Sequence, residues 1–266
     1  MVNITAKKSL GQNFLKSQSA LRAMISAASV QKGDVVLEIG PGQGALTQKL
    51  LETGVHVYSV EKDDRLIDIL HEKFSREEKS GQFTLIHGDI LESDLNFLKN
   101  GHYKLIANIP YYITGLIFRK FLEGTLQPSI LVVMVQKEIA DRIVASDGKE
   151  SLLSLSVKAY GTPKKVMKVE KKYFSPAPKV DSAILAISNI SKKNFSTVSE
   201  QQFFNIIKAG FAHKRKMLLP NLKDGLHIPP DTLKNIFVEL HLSEKIRPED
   251  LSIETWLALA EKISAL

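Results

Sequence analysis

The stretch Asp34-Val35-Val36-Leu37-Glu38-Ile39-Gly40-Pro41-Gly42-Gln43-Gly44-Ala45-Leu46-Thr47 decides the fold class. Val35, Val36, Leu37 and Ile39 predict a strand covered on both faces, and three glycines in five positions predict a tight turn into the next helix. A strand feeding a glycine-rich turn is how an open α/β sheet presents backbone donors and a small-molecule groove at its carboxyl end. Nicotinamide binding fits the same outline, so the turn defines a cofactor neighbourhood before it defines a reaction.

Outward from this turn the pattern alternates. Strands are predicted at His56–Val60, Phe83–Ile86, Tyr103–Ala107 and Ile130–Val135, with helical spacing over Gly44–Leu51 and at Leu66, Ile67 and Leu70. Such alternation implies right-handed crossovers and a largely parallel sheet whose strand order the pattern does not specify. Upstream, Ser19–Ala28 has helical composition. Further on, Glu138–Val144 and Leu152–Val157 read as helices, and Lys165–Glu170 and Ala183–Ser188 as late strands flanking a loop restrained by Pro176 and Pro178. Beyond a boundary placed within Ser188–Thr197, Phe203–Phe211, Leu233–Leu240 and Ile253–Leu266 are helical, punctuated by Pro220, Pro229-Pro230 and Pro248. The expected organisation is a large α/β domain over residues 1–190 and a small helical domain over 191–266.

Composition narrows the function classes. Apolar residues at 44% supply a core for 266 residues, and 36 Lys and Arg against 29 Asp and Glu give a formal charge of +7, which favours phosphate-rich partners. There is no Cys, so disulfides and thiolate-ligated metals are excluded, and the seven dispersed His form no metal-ligand pattern. No metal is expected. No apolar run reaches signal-peptide or membrane-spanning length, so a soluble, cytoplasmic, monomeric protein without membrane contact or an obligate protein partner is the expectation.

Two carboxylates stand where a nucleoside would meet the sheet. Glu61 ends the second predicted strand about twenty residues after the glycine turn, the interval at which an acid accepts from ribose hydroxyls. Asp89 follows the third, where it can accept from an adenine amine or merely cap a turn. The glycine spacing departs from G-x-G-x-x-G, and with Glu38 ahead of it the turn reads E-x-G-x-G-x-G, which resembles the first motif of class I methyltransferases that use S-adenosylmethionine. That likeness makes the expected fold a Rossmann-like class I methyltransferase domain followed by the small helical domain.

Asn108-Ile109-Pro110-Tyr111, directly after the fourth strand, points to the reaction. The N6 amine of adenine is conjugated with its ring and attacks a methyl group poorly. If the Asn108 side-chain oxygen and the Ile109 carbonyl accept its two protons, they favour a tetrahedral nitrogen and stabilise the charge that develops. Tyr111 can stack on an extruded base, Pro110 restrains the turn, and Phe174 is a candidate for the other face of the base. Without these companions, the same residues would read as a strand-ending turn around a buried aromatic.

Taken together, the chain resembles the ribosomal RNA adenine dimethyltransferases, the small-subunit family in particular. The likeness rests on Lys8-Ser9-Leu10-Gly11-Gln12-Asn13-Phe14-Leu15, Glu38 to Gly44, Asn108 to Tyr111, Gln136 to Arg142, Phe174 to Ser182 and Phe211 to Lys216, and so spans most of the chain. It implies that Asn13 and Leu15 help enclose S-adenosylmethionine, and that Gly40, with Gly42 and Gly44, borders its amino-acid end. It further implies that Glu61 holds its ribose and Asp89 binds its adenine, that Lys62, Ile90 and Asn108 also belong to the cofactor site, and that Asn108, Ile109 and Tyr111 receive the target amine. The implied substrate is small-subunit rRNA in an immature subunit, dimethylated at N6 of two adjacent adenosines near its 3′ end. Ile109 stands where leucine is common in the family, which preserves the backbone acceptor. Gly148-Lys149-Glu150-Ser151 replaces an expected Tyr-Gly pair, and large-subunit adenine methylases, or a ribosome-assembly binding protein, are the alternatives. Lys164-Lys165, Lys168, Lys171-Lys172, Lys192-Lys193 and Lys214-Arg215-Lys216 are candidate phosphate contacts.

Overall fold

A computed structural model describes residues 6–7, 10–98, 102–213 and 215–266; Lys8, Ser9 and Lys214 of the motifs above lie outside the described residues. The chain forms two compact units, Met1–Ala140 with Thr162–Ile190, and Asp141–Gly161 with Ser191–Leu266. The second unit therefore draws on residues 141–161 as well as on the segment from Ser191.

Among the described residues, the first unit has nine strands in chain order: β1 (Phe14–Leu15), β2 (Val35–Ile39), β3 (His56–Glu61), β4 (Phe83–His87), β5 (Tyr103–Ala107), β6 (Ile130–Gln136), β7 (Thr162–Val169), β8 (Phe174–Ser175) and β9 (Ser182–Ser188). Seven of them make one sheet in the order β4-β3-β2-β5-β6-β9-β7. Its neighbours from β4 to β6 run parallel, and β9 lies antiparallel between β6 and β7. The strand order reverses between β2 and β5, and that is where an open α/β sheet parts its loops and leaves a crevice. Val36, Leu37, Leu105, Ile106 and Leu131 to Val135 are buried, as the unbroken apolar runs predict for strands covered on both faces.

Two features extend the sequence reading. β7 begins at Thr162 rather than Lys165 and carries an irregularity between Lys165 and Met167. It is an edge strand, which tolerates Pro163 and presents the exposed Lys164, Lys165 and Lys168, residues that discourage pairing with another chain. A second, two-stranded sheet joins β1 to β8 antiparallel, with Phe14 opposite Ser175 and Leu15 opposite Phe174. The amino-terminal segment thus folds back onto the α/β unit, as its apolar Phe14 and Leu15 suggested.

The second unit packs helices including Glu200–Gly210, Leu218–Leu226, Pro230–Glu239 and Ile253–Ser264 around Phe203, Leu218, Leu222, Leu233, Phe237, Trp256 and Leu259, all buried. Pro220 was expected to punctuate helices, yet it lies inside the helix Leu218–Leu226. It stands in the first turn, where a missing N–H costs no helical hydrogen bond. Asn221, 1% exposed, donates from Nδ2 to the carbonyls of Gly210 and His213 at 2.7 and 3.2 Å, closing the preceding helix and holding the basic loop that follows it.

Candidate active site

The cavity that opens at the carboxyl ends of β2, β3, β4 and β5 has a volume of about 730 Å³, and all of its lining belongs to the first unit. Its floor is the glycine turn. Gly42 and Gly44 have φ of +58° and +75°, and a Cβ on them would meet Phe14 at 3.1 Å and Phe74 at 2.5 Å respectively. Conformation favours glycine at both positions, and at Gly44 the space requires it as well. Gly40, Gly42, Gln43 and Ala45 line the cavity, whereas Gly44 turns the chain into the helix Ala45–Leu51 and lies behind the wall.

Three carboxylates sit on this wall, and each has a distinct environment. Glu61 is 5% exposed; its Oε1 accepts from the backbone N–H of Lys62 and Asp63 at 2.9 and 2.8 Å, and its Oε2 from that of Gly42 at 3.1 Å. Burial pushes its pKa up and these three donors oppose the shift. A lone pair of Oε2 remains for a hydroxyl donor. Asp89 accepts from the Leu91 N–H at 2.9 Å and from Lys62 Nζ at 2.6 Å, and the Lys62 ammonium holds its carboxyl below the usual range. Glu38 is 1% exposed, and its Oε2 receives Thr47 Oγ1 at 2.7 Å and Ser59 Oγ at 2.6 Å. Its Oε1 is buried without a partner, and burial pushes the group up to about 7.

Opposite the glycine turn, β5 delivers Asn108, Ile109, Pro110 and Tyr111, all on the cavity wall. The adjacency follows from the parallel pairing of β2 with β5, which places their two carboxyl-end turns side by side. The Tyr111 hydroxyl shares a 2.6 Å hydrogen bond with Ser182 Oγ, so β9 anchors the ring, and burial pushes the Tyr111 pKa up. Asn108 Nδ2 donates to the Asn13 carbonyl at 3.2 Å. Asn13 and Leu15 line the cavity, as do Lys62, Asp89 and Ile90. The structure therefore brings the predicted residues of four loops and the amino-terminal segment to one wall.

Phe174 stands apart. It is 5% exposed, its ring lies in the core that also holds Leu15, and Ser175 and Pro176 occupy the wall in its stead. Tyr112, which the sequence reading passed over, lines the cavity and is 64% exposed. Gln12, Asp63 and Ser182 were also missed as partners of the site, although Gln12 and Ser182 fall inside motifs already singled out. Among the described residues no group of three or more His, Cys, Asp or Glu could hold a metal ion, and no helix is long and apolar enough to cross a membrane.

The donor set fits S-adenosylmethionine. Its amino-acid end is zwitterionic and its sulfur is a cation, and the wall around the glycine turn offers the backbone of Gly40 and Gly42 beside the carboxylates of Glu61 and Asp89. Glu61 and Asp89 suit its ribose and adenine, and the volume is of the size that small-molecule sites require.

The sheet order, the glycine turn and the acids at the ends of β3 and β4 define a class I methyltransferase fold. The chain belongs to the ribosomal RNA adenine dimethylase family, whose pattern matches residues 3–264. It is 44% identical over 258 residues to a ribosomal RNA small subunit methyltransferase A of Dehalococcoides mccartyi, covering 96% of this chain and 88% of the relative. A dimethyladenosine transferase from Plasmodium falciparum superposes with a TM-score of 0.79 at 27% identity, covering 92% of this chain and 95% of the other. The 23S rRNA methyltransferase ErmE superposes at 0.76 with 23% identity, covering 95% of this chain and all of the other, a likeness of fold.

Proposed function

We propose that this chain transfers methyl groups from S-adenosylmethionine to N6 of two adjacent adenosines near the 3′ end of small-subunit rRNA, giving dimethyladenosine at both during ribosome biogenesis. The observation that carries the reading is the meeting of the Asn108–Tyr111 turn with Gly40, Gly42, Glu61 and Asp89 around one cavity. The small-subunit relative at 44% identity favours the small-subunit RNA over the large.

When bound, S-adenosylmethionine supplies an electrophilic methyl group on a positively charged sulfur. Glu61 holds the ribose, Asp89 and Ile90 the adenine, and Gly40 and Gly42 border the amino-acid end, with Asn13 and Leu15 enclosing it. Asn108 Oδ1 and the Ile109 carbonyl accept the two N6 protons of an extruded adenosine, and Tyr111 orients the base. The donor would supply its methyl group to the N6 lone pair that Asn108 Oδ1 and the Ile109 carbonyl orient, and the surplus amine proton would pass to water. Catalysis comes from positioning and from acceptors aimed at developing charge, with no protein nucleophile.

RNA is held through its phosphates by the basic residues of both units, and the helical unit reads RNA shape. Lys168 pairs with Asp181 at 2.9 Å, Lys172 with Glu170 at 3.0 Å and Lys192 with Glu200 at 2.8 Å. Exposed pairs of this kind contribute little to stability, so these lysines can exchange a carboxylate for a phosphate at small cost. The protein acts in the cytoplasm as a monomer.

The test gives the purified protein a labelled methyl donor with undermethylated small- and large-subunit particles in separate reactions, and maps the methylated adenosines. Dimethylation of two adjacent small-subunit adenosines is expected. Label confined to the large-subunit RNA would reject the substrate, and no label in either would reject the activity.

A further inference from the structure

Residues 10–16 form a strap along the cavity, and its fastenings bear on the reacting turn. After Asn13, the strap is fixed by the β1–β8 pairing and by the Lys16 N–H, which donates to the Tyr173 carbonyl at 2.8 Å. Before Asn13, among the described residues, the side chain of Gln12 ties it to the α/β unit. Gln12 Nε2 donates to Asp63 Oδ2 at 2.7 Å, and Gln12 Oε1 accepts from the Lys7 N–H at 2.8 Å. Only one orientation of the Gln12 amide satisfies both, because a carboxylate only accepts and an N–H only donates.

Asp63 is a rigid post for this contact. Its side chain is 2% exposed and accepts from Arg65 Nε and Nη2 at 2.8 and 2.6 Å, while its own N–H is tied to Glu61. Between the two fastenings lies the Asn13 carbonyl, which accepts from Asn108 Nδ2. A backbone carbonyl cannot donate, so this contact selects one of the two flips of the Asn108 amide. It commits the nitrogen to the strap and leaves Oδ1 as the end that faces a target amine.

We propose that Gln12 is a positioning residue for methyl transfer: its hydrogen bond to Asp63 latches the strap so that the Asn13 carbonyl orients Asn108 with Oδ1 toward the acceptor. The inference rests on the proposed role of Asn108. A hydrogen bond to a charged acceptor of this type, when lost, shifts a local opening equilibrium by about tenfold or more. The latch therefore sets both how long the strap stays closed and how often Asn108 is correctly turned.

Two readouts test it on the full-length protein. Hydrogen exchange over residues 10–16, measured without RNA or cofactor, reports the latch; single-turnover methyl transfer at saturating cofactor and rRNA substrate reports the positioning. Gln12→Ala is expected to speed strap exchange about tenfold and to slow transfer about tenfold at unchanged circular dichroism. Gln12→Glu, which sets a second carboxylate against Asp63, is expected to exceed both effects, and Gln12→Lys, which returns a donor to Asp63, to restore both. Wild-type strap exchange in Gln12→Ala would overturn the latch. Faster exchange with wild-type turnover would overturn the positioning role, and Gln12→Lys behaving as Gln12→Ala would remove Asp63 as the partner. If the wild-type protein transfers no methyl group, the proposed function and the positioning role both fall, while the exchange comparison still decides the latch.

Discussion

Glu38→Gln is expected to flatten the pH dependence of the α/β unit's stability. Burial pushes the Glu38 carboxyl up to about 7 from an ordinary 4.5; the Ser59 and Thr47 hydroxyls oppose the shift and the Glu61 charge adds to it. The folded chain thus keeps a proton on Glu38 over a range in which the unfolded chain has lost its own. Stability declines with rising pH wherever the folded state binds more protons, so the loss begins near pH 4.5 and levels off above about pH 7. At about 1.4 kcal/mol per pH unit the whole window amounts to about 3 kcal/mol. Glutamine has no such titration, and its oxygen can still accept from Thr47 and Ser59 while its nitrogen takes the place of the unpartnered Oε1. Urea unfolding at pH 5 and pH 8, followed by far-ultraviolet circular dichroism and by amide exchange within β2 and β3, measures the effect. Fluorescence would report on the wrong unit, because the single tryptophan, Trp256, lies in the helical one. The stability difference between Glu38→Gln and wild type is expected to grow in the variant's favour by about 2.5 kcal/mol from the lower to the higher pH, because part of the window already lies below pH 5. An equal difference at both pH values would refute the buried, proton-holding carboxyl.

Asn108→Ala is expected to lower single-turnover methyl transfer about a hundredfold, since it removes an acceptor aimed at developing charge; transfer at the wild-type rate would contradict that role. Glu61→Ala is expected to weaken S-adenosylmethionine binding by calorimetry at least tenfold, through loss of the proposed ribose acceptor and of the tether to the Gly42 N–H. Asn221→Ala leaves the carbonyls of Gly210 and His213 without their buried donor and should destabilise the helical unit by about 1–3 kcal/mol, read from Trp256 fluorescence in urea. Raising salt should weaken rRNA binding steeply without altering which adenosines are methylated, as binding through phosphates requires.

The α/β sheet was legible because its strands are apolar on both faces and end in glycine, acid or asparagine. The order of those strands was not, since periodicity records burial and carries no pairing information; only the β2–β5 pairing shows why Gly40 and Asn108 meet. The place of Glu61 and Asp89 on the cavity wall could be read from their positions at strand ends. Phe174 reads in sequence as a candidate for the other face of the target base, because an aromatic in a proline-restrained loop suits stacking, but its backbone pairs with Leu15 and draws the ring into the core. Pro220 misled for a related reason, as a proline's effect depends on whether it falls in the first turn of a helix or beyond it. Gln12 escaped notice because a polar amide in a polar segment carries no local signal. Its meaning comes from Asp63, 51 positions away.

The same β2–β5 pairing explains why the chemistry can tolerate so plain a set of catalytic groups. Methyl transfer of this type needs its reacting atoms within about 3–3.5 Å and in line, and contributes little if they drift by an ångström. One residue of slip between parallel strands displaces a turn by about 3.3 Å and exchanges the strand's two faces. Val35 opposite Tyr103, Val36 opposite Lys104 and Leu37 opposite Leu105 set the register, and Leu37 and Leu105 are fully buried within it. A slip would carry those side chains out of their packing and cost several kcal/mol from the core. The distance between the cofactor turn and the acceptor turn is thus held by hydrophobic burial well behind the cavity. On the proposed mechanism, Asn108 and Ile109 need only present lone pairs, because the sheet has already positioned them.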